Sequence, residues 1–365
     1  MFDFIPPDSY TPIHYNVLLL MVIVVLISSR AFVISEQRIL NIFSGIAIVY
    51  IPLLIIYMGF RPISGRLFGD TKNYANLYDR FIQNPDLIIE KDYMFNQFMK
   101  WCTHFMDIHT FYIVLAILYL TPVIIFSYKH YKRYWFFAFF FFLTSFSFWA
   151  YGTNGLRNGL GTGFFILGLS FYQKKWLMYP FFLLGYFMHA SILIPIAAFV
   201  ASGLYKNPKV YIYIWLASIP LSLIGGSTWA TFFSSLGFEQ DRTAGYLTDT
   251  DQYMDQFSQT GFRWDFLLYS AAPVFAGWYF IIKKKINDVF YIHIFGTYCI
   301  ANAFWILVIT AAFSNRFAYL SWFLMPVVVS YPFLKYKIWN DQFKQVGWIT
   351  LLYFAFTYFM NVINK

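Results

Sequence analysis

Charged side chains are scarce: only 12% of the 365 residues are Asp, Glu, Lys or Arg, against about 25% in an ordinary soluble domain. That shortage excludes a globular domain wetted over its whole surface. Cysteine is nearly absent. Cys102 and Cys299 cannot build a disulfide framework, and Cys299 lies inside an apolar run, where it reads as packing. Sustained alternation of polar and apolar residues is missing, which excludes a transmembrane β-barrel. Zinc-ligand spacing is missing as well. Asp249-x-Asp251-x-x-x-Asp255 has Tyr253 and Met254 where a calcium loop needs its next oxygen ligand and glycine, so no metal is expected. The first residues, Met1 to Asp8, lack the basic region of a cleavable signal peptide.

Hydrophobic residues make up 59% of the chain and aromatic ones 24%, with 46 Phe, 30 Tyr and 12 Trp. The apolar residues come in continuous runs, and in lipid only helices and closed barrels satisfy the backbone. The expected fold is therefore all-α: a polytopic transmembrane bundle of about twelve segments, near 14–29, 39–59, 108–127, 134–150, 156–172, 176–188, 190–204, 210–224, 264–282, 289–312, 317–334 and 345–362. The runs at 176–188 and 190–204 are short for a crossing of about 30 Å. Charge decides how they are counted. With the N-terminus outside and all twelve segments crossing, fifteen Lys and Arg fall in six short inner loops, opposed only by Glu36, Asp288 and Asp341. Merging 176–204 into one span breaks this positive-inside pattern downstream. The net charge of +9 is thus a topology signal and does not point to nucleic acid.

One integral membrane domain, 1–365, is expected, with two long polar loops on the outer side, 60–107 and 225–263. In the first, Asp70, Tyr74 and Tyr78 recur every four residues, the face of a helix, and an amphipathic helix is expected at 93–106. The arginines that do not fit the inner loops are the informative ones. Arg157 and Arg316 each open an apolar helix on the outer side. A helix N-terminus offers free N–H groups and partial positive charge, and a guanidinium adds a planar fork that matches phosphate. The plain alternative is an interfacial side chain reaching for water. Arg242 and Arg263 lie in or at the end of the second long loop, where a solvated charge is the plain reading. Gly155, Gly159 and Gly163 form a small-residue face suited to close helix packing. His189, between the two short segments, is either a hydrogen-bonded structural residue or a general base.

The run Asn154-Gly-Leu-Arg157-Asn-Gly-Leu-Gly-Thr-Gly, the basic pair Lys174-Lys175, and Phe187-Met-His189-Ala-Ser191 together resemble the core of the EpsG/Wzy-type polysaccharide polymerases. Asp70-x-x-x-Tyr74-x-x-x-Tyr78 with Glu90-x-x-Tyr93, Arg242-x-x-x-Tyr246 and Asn315-Arg316-Phe317 are similar to further pieces of that family, so the likeness touches about 60–335. Asn158 departs from its pattern.

The resemblance implies a membrane-embedded, GT-C-like glycosyltransferase of the bacterial inner membrane that needs no metal or other cofactor. Its donor and acceptor are undecaprenyl-pyrophosphate-linked oligosaccharides, joined at the periplasmic face with inversion, and its partners are the bilayer and a chain-length regulator. Under it, Arg157, Arg316, Arg242, Asn154, Tyr246 and Tyr74 bind pyrophosphate or substrate. His189 is the first candidate for the base, with Asp70 and Glu90 as alternates. A lipid-linked-oligosaccharide flippase, an O-antigen ligase and a membrane O-acyltransferase compete with this reading. The flippase expects mid-membrane cations and paired repeats, neither of which is in the chain, and the acyltransferase expects an inner donor site that the short basic loops do not provide.

Overall fold

The computed structural model describes residues 2, 4–30, 35–235, 261–311 and 314–364. Among them there is no strand; every ordered element is a helix. The chain divides into two compact units, Met1–His189 with Phe333–Lys365, and Ala190–Pro332.

The first unit opens with α1 (Pro7–Ser28) and α2 (Glu36–Gly59), long apolar helices started by Pro at the first position and by a Ser35 cap. Three amphipathic pieces follow: α3 (Gly65–Phe68), α4 (Thr71–Gln83) and α5 (Tyr93–Cys102). They occupy the first expected outer loop, α4 and α5 at the positions the polar periodicity indicates and α3 as an additional short turn. Asp107 then caps α6 (Ile108–Tyr131), its Oδ1 accepting from the Thr110 N–H at 2.7 Å, the usual device for a helix start. Hydrogen bonding to Thr110 holds the Asp107 carboxyl below its ordinary range.

At Lys132 the backbone is left-handed, φ 53°, and the chain turns back as α7 (Trp135–Leu143). Phe126 meets Phe142 edge-on at 6.1 Å. In one straight helix those rings would be about 24 Å apart, so the stretch from Ile108 to Leu143 is a folded pair of helices. Residues Phe136 to Leu143 are buried on every side, the mark of a helix enclosed by others. Thr144 and Ser145 return their hydroxyls to the carbonyls of Phe140 and Phe142 and end the helix there. The chain resumes as α8 (Phe146–Thr153). Hydropathy predicts one uninterrupted segment at 134–150; the structure breaks it at Thr144 and Ser145.

Next come α9 (Leu156–Leu169) and α10 (Lys175–Met188), an antiparallel pair. Phe165 stacks on Phe182 at 4.2 Å, and a Cβ on Gly168 would lie 2.7 Å from the Phe182 ring, so the glycine is what lets the helices close. The unit is completed by α18 (Gln342–Tyr358), which packs along α1; Tyr358 donates to Asn16 at 2.7 Å.

The second unit holds α11 (Leu193–Leu204), α12 (Pro208–Gly225), α13 (Ser227–Ser235), α14 (Trp264–Gly277), α15 (Val289–Leu307), α16 (Ser314–Trp322) and most of α17 (Met325–Lys335). Its centre is a polar knot in an apolar core. Asn302, fully buried, donates to Ser270 at 3.2 Å and Ser321 at 2.9 Å and accepts from Trp215 Nε1 at 2.6 Å, while Trp322 Nε1 donates to Ser270 at 2.7 Å. Asn302→Leu keeps the bulk and orphans the Trp215 donor. It should cost about 1–3 kcal/mol, read as a lower thermal midpoint of the purified protein; an unchanged midpoint would mean that the knot contributes nothing.

Among the described residues, eight helical stretches, counting α6 with α7 and α16 with α17 as one each, are long and apolar enough to cross a membrane. The remaining expected segments are helical but shorter: 134–150 is divided into α7 and α8, of 9 and 8 residues, α9 and α10 have 14 residues each and α11 has 12. The class is clear from this alone. The chain is a polytopic helical membrane protein.

Candidate functional site

Arg157 stands in the first turn of α9, with its side chain 25% exposed. Its Nη1 donates to Asp92 Oδ2 at 2.5 Å and its Nε to the Tyr74 hydroxyl at 3.3 Å, with the guanidinium 5.7 Å from the Tyr74 ring centre. Asp92 is the residue before α5 and is left-handed, φ 47°, a backbone state rare for a residue with a side chain. Its carboxylate is 5% exposed. Burial raises the Tyr74 phenol above its ordinary range, so at neutral pH it is an uncharged hydroxyl that accepts from Arg157 and still has a proton to give.

Two joints hold this arrangement. At the first, Asn154 Oδ1 accepts from the Asp70 backbone N–H at 2.8 Å, while Thr71 Oγ1 donates to the carbonyls of Phe68 at 2.8 Å and Thr153 at 3.2 Å. Gly69, φ 46°, lies so close to the Asn154 amide that a Cβ would sit 2.6 Å from its Oδ1. The start of α4 is thereby clasped to the α8–α9 junction. At the second joint, a Cβ on Gly159 would lie 2.4 Å from the Tyr151 carbonyl oxygen, so the first turn of α9 touches the last turn of α8 directly. Gly163 meets α6 only at ordinary contact, 3.6 Å from Pro122.

Arg61, just beyond α2, carries no signal in the sequence. It is 0% exposed. Its Nη1 donates to the Met58 carbonyl at 2.6 Å and its guanidinium lies on the Tyr112 ring at 4.0 Å; among the described residues, Nε and Nη2 have no hydrogen-bond partner. Tyr112 in turn donates to the Thr71 carbonyl at 2.9 Å. Burial lowers the Arg61 pKa to about 10, with nearby tyrosines, Tyr74 among them, opposing, so the group is still a cation at neutral pH. Tyr74 therefore lies within the fields of two arginines, Arg61 buried and Arg157 partly exposed.

The antiparallel α9–α10 pair fixes where His189 stands. Eight residues separate Arg157 from Phe165 and seven separate Phe182 from His189, so the stacked pair of phenylalanines places both near the same end. His189 ends α10 at that end in extended geometry, φ −158°, its backbone N–H donating to the Gly185 carbonyl at 3.1 Å. Helix α5, which follows Asp92, packs on α10.

The other expected residues fall as follows. The Asp70 carboxylate accepts from Asn73 Nδ2 at 3.4 Å at the start of α4. Glu90 is exposed in the loop before α5, and it is Asp92, two residues on, whose carboxylate meets Arg157. Asn154 reaches the Asp70 backbone. Arg316 lies in the first turn of α16, in the second unit. Arg263 is bound by Asp265 at 2.6 Å and covers the Phe266 ring at 3.7 Å. Arg242 and Tyr246 lie outside the described residues. Among the described residues, no group of three or more His, Cys, Asp or Glu could hold a metal ion.

The Arg157–Asp92 contact can be measured as a coupling. A double-mutant cycle of Arg157→Ala and Asp92→Ala on thermal stability should return about 1–3 kcal/mol of interaction. Strictly additive losses would mean that the pair contributes nothing to stability.

A helical membrane protein with a guanidinium, a carboxylate and a phenol gathered at one helix start is thus defined. The family model of the EpsG family matches residues 50–365. The chain belongs to the EpsG family, and that membership points to a polysaccharide polymerase. No curated protein and no solved structure matches the chain.

Proposed function

We propose that this protein joins undecaprenyl-pyrophosphate-linked oligosaccharide repeats at the periplasmic face of the bacterial inner membrane, as a GT-C-like enzyme with twelve crossing segments and no metal. The observation that carries the reading is Arg157, set at a helix start with Tyr74 and balanced by one carboxylate. A diphosphate brings more negative charge than Asp92 and offers oxygens matched to the guanidinium fork. An acceptor hydroxyl oxygen attacks the anomeric carbon of the donor chain, the bond from that carbon to the lipid diphosphate breaks, and the diphosphate departs with the electron pair. The hydroxyl proton passes to His189, with Asp70 and Glu90 as alternate acceptors. Arg157, with Arg316 as a second cation, stabilises the charge growing on the leaving group. Arg242, Tyr246 and Asn154 complete the substrate contacts. The growing chain is thereby moved onto the non-reducing end of a new lipid-linked unit, with a separate chain-length regulator as partner. Fifteen basic residues in the loops on the opposite side support the orientation.

The test is a gel of surface polysaccharide from a deletion strain complemented with the wild type. Single repeats, or accumulated lipid-linked single units, converted to a ladder by the wild-type gene support the polymerase. Lipid-linked units trapped on the cytoplasmic side indicate a flippase instead, and long polymer left on its lipid carrier indicates a ligase.

A further inference from the structure

At the other end of the α2–α6 pair, away from Arg157, the first unit contains a cavity of about 610 Å³. It is lined by the first turns of α2, through Gln37, Asn41 and Ser44, and by the α6–α7 turn, through Lys129, His130, Lys132 and Arg133, with Tyr128, Trp135 and Ser170 completing it. Among the described residues, no carboxylate lines it. The turn owes its shape to Lys132, whose left-handed backbone reverses the chain. Lys129 is held over the Phe171 ring at 3.6 Å, and His130 Nε2 donates to the Leu169 carbonyl at 3.2 Å. Lys129 and His130 are thereby held against the end of α9, while Lys132 and Arg133 stand exposed on the turn, Arg133 donating to the Tyr134 hydroxyl at 3.3 Å, around a space large enough for a headgroup.

The apolar surroundings indicate which kind of anion fits. On α2, Ile48 is exposed and Ile51 and Ile55 are partly exposed. They follow Ser44 at a spacing of four, three and four residues, which puts them on the face that lines the cavity. This stripe begins beside Asn41 and Ser44 at the cavity and runs up the helix. Tyr128 is also exposed at the rim, with the amphipathic character typical of a membrane interface. A free anion would use the cations and leave the stripe idle. A phospholipid uses both: its phosphate among Lys129, Lys132 and Arg133, its acyl chain along α2. Basic pockets between membrane helices are the usual seat of anionic headgroups.

We infer that this cavity binds an anionic phospholipid by its headgroup, at a site separate from that of Arg157. The test uses the full-length protein purified in detergent, with phosphatidylglycerol, phosphatidylcholine and inorganic phosphate as probes and native mass spectrometry as readout. Phosphatidylglycerol should remain bound where phosphatidylcholine does not. Replacing Lys129, Lys132 and Arg133 together by Gln should weaken phosphatidylglycerol binding on the order of a hundredfold, about fivefold for each cation lost. A Lys129→Arg, Lys132→Arg variant, which keeps the charge, should retain it and guards against misfolding of the Gln variant. Arg157→Ala should also retain it, so failure of this site and failure of the proposed enzymatic activity are read separately. Equal retention of the two lipids, or undiminished phosphatidylglycerol binding in the triple Gln variant, overturns the inference. Full displacement by inorganic phosphate at equal concentration overturns the lipid assignment, because the acyl chain would then contribute nothing.

Discussion

Replacing Arg157 by Ala should abolish the polysaccharide ladder while the protein still accumulates in the membrane. Loss of one preorganised donor at a developing oxyanion costs about 10²–10³ in rate, and Arg157 supplies two N–H donors and a full charge. Arg157→Lys should recover little of this, since an ammonium cannot present the planar fork that spans Tyr74 and an anion together. The measurement is the gel described above, beside an immunoblot of the membrane fraction. A full-length ladder from the Ala variant would remove Arg157 from the reaction and with it the observation on which the functional reading stands.

Gly159→Ala should push the helix that carries Arg157 away from its neighbour with a single added methyl group. The added carbon would come within 2.4 Å of the Tyr151 carbonyl oxygen and 3.0 Å of its carbon. A backbone cannot rotate aside as a side-chain tip can, so α9 must move away from α8. Overpacking of this kind costs about 1–3 kcal/mol, and here it also shifts the turn that carries Arg157. The thermal midpoint should fall and the ladder should shorten or vanish. Gly163→Ala is the control, because its nearest neighbour would be 3.6 Å away. Equal behaviour of the two variants would show that the α8–α9 contact does not set the geometry of the site.

The helices were legible because apolar runs in a charge-poor chain have few alternatives. Where the reading departed from the structure, local hydrogen bonding decided. The segment at 134–150 breaks at Thr144 and Ser145, whose hydroxyls bond back to the preceding helix, and such a turn does not alter hydropathy. The site was half legible. Arg157 stood out as a charge at the head of an apolar run, and Tyr74 through its four-residue spacing from Asp70. Asp92 did not stand out, because Glu90, Lys91 and Asp92 are three charges in one loop. Only the fold, by bringing α5 to α9 across 65 residues, selects among them. The available clue was a matter of charge: a half-buried Arg157 calls for a carboxylate, and the first outer loop is rich in them. Nothing in the sequence distinguishes Arg61 from the other cations of that loop. Its importance comes from Tyr112, whose ring covers it from a different helix.

The contact between Arg157 and Asp92 also sets a threshold. Any anion that engages this guanidinium must first compete with a carboxylate that is already desolvated and in place. A singly charged visitor gains little from the exchange, whereas a ligand with several phosphoryl oxygens gains more than it displaces. The internal carboxylate thus acts as a built-in competitor that filters occupants by charge, keeping the guanidinium silent toward the dilute small anions around it.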